Sequence, residues 1–236
     1  MNLLKKYSLL LIFALTGLLA CKKDHYYLDS GLANPYFKGT VIDYLNAKPF
    51  YFDTIASIVK LADMENILTK DTVTFFAPTD YSVQNLIRRC NGALYVNGYD
   101  TIRSLQDVPK EIWRKYLSYY IFHGANQLKD YPQIDFSLLI NFPGQTYYSW
   151  DMQPMNIGVE YNSDNGVKYV GYRQLTLSYI PDISRPTSFT IGRVASCNIL
   201  TDNGVVHVLN ADHFYFGFDD AKFTQDVQAA FAASGK

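Results

Sequence analysis

The chain has 236 residues, 48% of them hydrophobic, which is enough to build one large domain or two small ones. Its 21 basic and 22 acidic residues give a formal net charge of −1. This nearly neutral balance provides no positively charged patch of the kind that binds nucleic acid. After the N-terminus, no stretch of sequence is long and apolar enough to predict a membrane span. The aromatic content is 16%, with 20 tyrosines and 15 phenylalanines, and such side chains serve cores and interfaces alike.

The N-terminal residues have the pattern of a cleaved export signal. Lys5 and Lys6 supply positive charge, and residues 9–15 form an apolar run that is shorter than the roughly 20 residues of a spanning helix. Residues 18–21, with the sequence Leu-Leu-Ala-Cys, resemble the bacterial lipobox. We therefore predict that residues 1–20 are a signal peptide. An ordinary secretory signal with an incidental cysteine is the alternative.

Cys21 is the expected site of lipid attachment. Several acyl chains anchor a protein stably, because each buried methylene contributes about 0.8 kcal/mol. By resemblance to Gram-negative lipoproteins, Lys22 in place of an aspartate after the cysteine favours the outer membrane. The predicted localisation is therefore lipid-anchored at the outer membrane, on its periplasmic or its cell-surface leaflet.

A tether is predicted between the anchor and the globular domain. Turn and linker signals at residues 29–31 and 34–35 indicate that the tether covers residues 21–38, and we expect the domain to begin near Gly39. Thr40 is then predicted to cap a short helix that ends before Pro49. Apolar residues at helical spacing after Asp53 predict a second helix with one buried face.

A strand and a further helix are predicted next. The β-branched and aromatic residues at 72–76 predict a strand, and Pro78 ends it. Either Thr79 or Asp80 is expected to cap the following helix. The Asn-Gly pair at residues 91–92 is expected to end that helix.

Strands dominate the prediction for the second half, after a last early helix that begins near Pro109. Residues 159–172 predict a hairpin with its turn at 163–166, and residues 189–209 predict two more strands. The tail, residues 219–236, has apolar residues at helical spacing and either docks on the domain or frays. Helices early and strands late predict an α+β fold.

Three segments resemble the motifs of fasciclin domains. Residues 72–80 resemble the first signature, a strand that runs into Ala-Pro-Thr-Asp, and residues 203–209 resemble the second. Residues 117–124 are similar to the central segment, with Tyr119 at the motif tyrosine and Tyr120 where the family often has a histidine. The motif positions in this sequence are Thr74, Phe75, Phe76, Ala77, Pro78, Thr79, Asp80, Tyr119, Asn203, Gly204, Val206 and His207.

The resemblance implies one fasciclin-like domain over residues 39–218, followed by the tail. The implied fold is a mostly antiparallel β-sheet wedge with several N-terminal helices packed on it. Because residues 125–202 are more numerous than the family pattern needs, we expect an insertion there. The resemblance also implies a binding module linked to adhesion, with no enzymatic activity and no cofactor.

The motif residues are interpreted as structural. Residues 78–80 are expected to form a strand-to-helix turn with a capping side chain, and surface contacts are the alternative. His207 is expected to be a buried, hydrogen-bonded strand residue, and a ligand role is the alternative. The spacing of the four histidines predicts no metal site. No catalytic motif is found in the sequence, which favours a non-enzymatic protein.

The aromatic-rich second half offers further candidates. Its tyrosines and tryptophan belong either to the core or to an interface, where sugar rings would stack on the same faces. Cys90 and Cys197 either pair as a disulfide, since the chain is exported, or stay as buried free thiols. The candidate ligand or partner contacts are Tyr147, Tyr148, Trp150 and Tyr172.

Two functional hypotheses follow from the sequence. The first is a non-enzymatic, surface-anchored lipoprotein that acts as an adhesion or protein-interaction module toward an unidentified surface or outer-membrane protein. The alternative is an auxiliary carbohydrate-binding lipoprotein of an outer-membrane glycan uptake system. The expected partners are therefore the membrane, through Cys21, and a protein or a glycan, but not nucleic acid.

Overall fold

A computed structural model describes residues 34–210 and 215–234. The predicted signal peptide and the lipidation site Cys21 lie outside the described residues. The helices of the described part are α1 (Val41–Asn46), α2 (Pro49–Leu61), α3 (Glu65–Lys70), α4 (Asp80–Val96), α5 (Lys110–Ser118) and α6 (Asp220–Ser234). Its strands are β1 (Val73–Ala77), β2 (Ile121–His123), β3 (Gln133–Ile134), β4 (Gln145–Tyr148), β5 (Pro154–Tyr161), β6 (Arg173–Tyr179), β7 (Thr190–Thr201) and β8 (Gly204–Leu209).

The strands form one sheet in the order β2-β1-β8-β7-β6-β5-β3, with β4 also paired to β5. The pairs β1-β8 and β3-β5 are parallel, and the other pairs are antiparallel. The predicted α+β fold with a mostly antiparallel sheet and N-terminal helices is therefore confirmed. The β1-β8 pair places the two signature motifs side by side, because Val73 to Ala77 align with Gly204 to Val208.

A continuous hydrophobic core joins the helices to the sheet. Helix α2 packs against α4 and α5, and α6 packs against the same two helices. Phe223, Val227 and Phe231 bury the inner face of α6. The C-terminal tail is therefore helical and docked, which settles the choice between docking and fraying. Within the described residues, no helix combines the length and hydropathy that a membrane span requires.

The prediction that the tether reaches residue 38 is wrong at its C-terminal end. Tyr36 forms a parallel bridge with Leu200, and the backbone of Leu200 hydrogen-bonds to Pro35 and Phe37 at 2.8 Å each. The sheet therefore takes up the chain before Gly39, because the outer backbone groups of β7 need partners. Sequence signals for turns cannot reveal such a distant pairing.

Helix α1 begins as predicted. The Thr40 hydroxyl accepts a hydrogen bond from the backbone N–H of Asp43, and the Asp43 carboxylate accepts one from the N–H of Thr40, which forms a capping box. Pro49 ends this helix, but it is also the first residue of α2. The second helix thus begins before Asp53, since a proline at the first helical position costs no hydrogen bond.

Helix α4 does not end at Asn91-Gly92 as predicted, but continues to Val96. The Asn91 side chain is engaged with the backbone N–H and carbonyl of Ile102, so it does not terminate the helix. Leu94 adds a further buried contact one turn later. The helix ends instead before Gly98, which has the left-handed φ of +77°.

We expect Gly92→Ala to stabilise the domain by about 0.5–1 kcal/mol. A Cβ atom at Gly92 meets no other atom within 4 Å, and alanine removes the entropic cost of glycine inside a helix. Urea unfolding followed by circular dichroism measures the change. A lower midpoint than that of the wild type would show that residue 92 needs glycine for another reason.

The strand predictions of the second half are confirmed with adjusted ends. The hairpin consists of β5 and β6, whose register runs from Met155 with Tyr179 to Tyr161 with Arg173. Its connection is longer than the predicted four-residue turn and covers residues 162–172. Strands β7 and β8 meet at the predicted turn. Whether residues 125–202 hold an insertion stays a prediction.

The two cysteines of the domain are free thiols, so the disulfide expectation is wrong. Cys90 is buried on α4 against α6, and burial raises the pKa of its thiol. Cys197 is exposed where β7 shifts its register against β8. The alternative of two buried free thiols therefore holds for Cys90 alone.

Desolvation raises the pKa of the Cys197 thiol as well, but its side chain is exposed. In a Cys21→Ala background, we therefore expect a thiol reagent to modify Cys197 in the folded domain and Cys90 only when the domain unfolds. Mass spectrometry of the native protein should show one added label, and denaturant should add a second. Cys197→Ser is the matched variant and should remove the label of the native protein. Rapid double labelling of the native chain would contradict the burial of Cys90.

Candidate interaction groove

His207 of the second motif lies in the interior, on the central strand β8. Its Nδ1 accepts a hydrogen bond from the N–H of Asn198 at 3.2 Å, so Nε2 carries the proton and donates to the carbonyl of Asn126 at 3.0 Å. The ring packs 5.0 Å from the ring of Phe76, its partner on β1. Burial lowers the pKa of His207 to about 4. The side chain is buried and hydrogen-bonded, as predicted, and it links three segments of the fold.

Thr74 of the first motif continues this network. Its hydroxyl donates to the carbonyl of Gly124 at 2.7 Å and accepts from the N–H of Asn126 at 2.9 Å. The Asn198 side chain accepts from the N–H of Leu128 at 2.8 Å. The bulge in β7 directs Asn198 to both contacts, because an extra residue turns the strand locally. These polar groups are thus used inside the domain.

Asn203 holds the helical layer to the second motif. Its amide donates to the carbonyls of Leu68 and Asp71 at 3.1 and 2.9 Å, and its oxygen accepts from the N–H of Val41 at 2.9 Å. The side chain therefore joins the start of α1 and the end of α3 to the β7-β8 turn. The next residue, Gly204, lies against the carbonyl oxygen of Val73.

The strand-to-helix turn of the first motif differs in detail from the prediction. Pro78 is buried, and Thr79 stands at the N-cap of α4, but its side chain makes no capping hydrogen bond. Asp80 does not cap α4 either. One of its carboxylate oxygens instead accepts from the N–H of Ile55 in α2 at 3.0 Å. The turn is structural, but it ties α4 to α2 rather than closing its own helix.

The central motif is also part of the interior. Tyr119 is 3% exposed and stacks on Tyr179 with ring centroids 5.6 Å apart. Tyr120, where the family often has a histidine, is buried between Phe216 and Phe218 and accepts a hydrogen bond from the N–H of Gly217 at 2.7 Å. At the position where the family often has a histidine, this chain therefore has a stacked tyrosine with its own hydrogen bond.

Tyr119 also lines a polar hollow of about 300 Å³ beside α5. The two cations of this hollow are already paired. Arg114 lies 3.4 Å from Asp151, and Lys115 lies 2.5 Å from Asp226. A ligand would have to compete with these ion pairs, which makes the hollow the weaker candidate for a binding site.

The four predicted aromatic contacts do not form one surface. Tyr147 packs on Tyr131, and Trp150 packs on His123, and both are partly buried against the core. Tyr148 and Tyr172 are exposed, but they adjoin opposite ends of β5. At a rise of about 3.3 Å per residue, these two ends are roughly 23 Å apart. No shared platform for a sugar chain results from these four residues.

An exposed aromatic groove lies beside the first motif, where α2 and α4 both begin. The rings of Phe50, Tyr51 and Tyr81 are 86%, 53% and 53% exposed, and their groove has a volume of about 460 Å³. Exposed aromatic clusters of this kind mark interaction sites, because large rings bury much area at low entropic cost. The residues that line this aromatic groove are Phe50, Tyr51, Thr79, Asp80, Tyr81 and Gln84.

The sequence contained a signal for this groove that the strand and helix predictions did not use. If Pro49 starts a helix, the buried stripe through Phe52, Ile55 and Val59 places Phe50 on the opposite face. Reading Pro49 only as a helix stop left Phe50 without a defined orientation. The location of Tyr81 beside it depends on the packing of α2 on α4, which no local pattern predicts.

The motif residues lie mainly in the interior of this α+β domain, and its aromatic groove faces outward. These are the properties of an interaction module. A family model for the fasciclin domain matches residues 51–211, which is more than half of the chain. The chain belongs to the fasciclin domain family, whose members are modules of the cell-adhesion and protein-interaction type and are generally non-catalytic.

Among solved structures, the chain is similar to a FAS1 domain pair from the insect cell adhesion molecule fasciclin I. The identity is 14% over 80% of this chain and 52% of that one, with a TM-score of 0.49. The chain thus spans about half the length of that structure. No curated protein matches the chain.

Proposed function

We propose that the protein is a non-enzymatic lipoprotein that binds a surface or outer-membrane protein through the aromatic groove. The observation that supports this most is the exposure of Phe50, Tyr51 and Tyr81 around one depression. Aromatic residues are enriched at the centres of protein interfaces, where they contribute most of the binding energy. The side chains of Thr74, Asn203 and His207, in contrast, are hydrogen-bonded inside the fold.

The anchor is the second part of this proposal. A lipid on Cys21 would hold the domain at the outer membrane, so that a moderate affinity suffices for a partner in the same membrane. Cys21→Ala should lose the label from an alkyne fatty acid and move the protein from the membrane to the soluble fraction. A variant that keeps its label and its membrane fraction would exclude Cys21 as the anchor.

The interaction is tested by affinity purification of the tagged full chain from solubilised membranes, with two matched variants. Tyr81→Ala removes a ring of the aromatic groove, and Tyr95→Ala removes a ring that is 78% exposed at the other end of the same helix. We expect Tyr81→Ala to lower recovery of a specific partner at least tenfold, as for a residue at the centre of an interface, and Tyr95→Ala to leave it unchanged. Equal recovery with all three proteins would refute a role for the groove.

A further inference from the structure

We infer that the aromatic groove receives a cationic side chain, arginine or lysine, from an extended segment of the partner protein. This inference rests on the proposed function, since it names the chemistry of the partner at the same groove. It is carried by three properties of the groove: its charge, the exposure of its rings and its size.

The charge of the groove is negative. Of the described residues that line it, Asp80 alone is charged. One carboxylate oxygen of Asp80 accepts the hydrogen bond from Ile55, and in the described part of the chain the other oxygen has no hydrogen-bond or ion-pair partner. Gln84 adds an exposed amide one turn further along α4. A basic side chain that enters the groove would therefore meet an available carboxylate and no opposing cation.

The rings of the groove form a corner. The centroids of Phe50 and Tyr51 are 4.9 Å apart, and the ring planes are nearly perpendicular at 88°. In such an edge-to-face pair the edge of one ring covers part of the face of the other, but Phe50 is 86% exposed, so a cation can still lie over an open ring face. The exposed rings can therefore receive a cation, and the carboxylate of Asp80 favours a cation over a neutral sugar.

The size of the groove limits its occupant. A volume of about 460 Å³ is typical of sites for small ligands, which measure roughly 300–1,000 Å³. One or two side chains of a peptide fill such a space. The groove would therefore select a short basic segment within a larger contact rather than bind a folded surface by itself.

The experiment titrates the isotope-labelled full chain in detergent micelles and follows backbone and side-chain amide resonances by NMR. The probes are the peptide acetyl-Gly-Arg-Gly-Arg-Gly-amide, its twin with glutamate in place of arginine, and the neutral disaccharide cellobiose. We expect only the arginine peptide to shift the resonances of Phe50, Tyr51, Tyr81 and Gln84 in a saturable way. Raising the ionic strength from about 0.05 M to about 0.5 M should weaken its binding several-fold.

Two charge-neutralising variants locate the contact. Asp80→Asn keeps the oxygen that accepts from Ile55, and it should weaken the arginine peptide about fivefold, the effect of losing one half-exposed ion pair. Asp53→Asn removes the same charge at an exposed position of α2 outside the groove lining and should change binding less than twofold. Urea unfolding of both variants shows whether any loss of binding comes from a loss of folded protein.

Three results would overturn the inference. The first is equal weakening of peptide binding by Asp80→Asn and Asp53→Asn, and the second is the absence of saturable peptide binding. The third is a shift of the same resonances by cellobiose, which would assign the groove to glycans. The proposed function can fail or hold separately. If no peptide binds but Tyr81→Ala still abolishes partner recovery, the groove binds a protein of other chemistry. If the peptide binds but partner recovery is unchanged, the cation site stands and the proposed function fails.

Discussion

Gly204→Ala is expected to destabilise the domain severely. A methyl group at this buried position would overlap the carbonyl oxygen of Val73, a backbone atom that cannot rotate away. The two residues are register partners in the parallel β1-β8 pair, so relief of the overlap must separate the two signature strands. We expect a loss of about 4 kcal/mol or more, which is a large part of the roughly 5–15 kcal/mol that stabilises a typical domain.

The measurement is urea unfolding of Gly204→Ala, followed by circular dichroism, beside the wild type and Gly92→Ala. The same change at Gly92 places its methyl group in open space, so it controls for the chemistry of the substitution. We expect the free energy of unfolding to fall for Gly204→Ala and to rise for Gly92→Ala. A free energy of unfolding for Gly204→Ala within about 0.5 kcal/mol of the wild type would show that β1 and β8 are not packed as described.

His207→Ala is expected to cost about 3 kcal/mol or more. The change removes a fully buried ring, leaves a cavity beside Phe76, and deprives the N–H of Asn198 and the carbonyl of Asn126 of their partners. Denaturant unfolding at neutral pH measures this loss. A cost below about 1 kcal/mol would mean that the network of the two motifs contributes little to the fold.

His207 also makes the stability depend on pH. Its pKa is about 4 in the folded state and about 6.5 in an unfolded chain, so the unfolded state binds more protons between these values. The free energy of unfolding should therefore fall as the pH falls from 6.5 to 4, by about 3 kcal/mol in total. His207→Gln has no titrating ring and should lack this component. If wild type and variant show the same slope across the window, His207 is not buried in its neutral form.

The elements of the two motifs could be predicted because their signals are local. The residues at 72–76 are β-branched or aromatic, and Asn203-Gly204 marks a turn between apolar runs. Unlike the two strands themselves, their pairing as parallel neighbours could not be predicted from local signals. About 130 residues separate them, and no local preference encodes which strands meet over such a distance.

Two helix boundaries were predicted wrongly because a local sequence signal was overridden by contacts with residues far away in the sequence. Asn91-Gly92 has the composition of a helix end, but the Asn91 side chain is held by Ile102, and the helix continues. Pro49 is both the stop of one helix and the start of the next, and reading only the first role concealed the orientation of Phe50. Tertiary contacts decided each case, and they are also what assembles the aromatic groove.

Site-specific photo-crosslinking in cells tests whether the aromatic groove makes the contact with the partner. A photoreactive phenylalanine analogue replaces Phe50 in the groove or, as the control, Tyr95 at the far end of α4. We expect a discrete protein adduct from position 50 that Asp80→Asn diminishes, and none from position 95. No adduct from position 50, or the same adducts from both positions, would refute a contact at the groove.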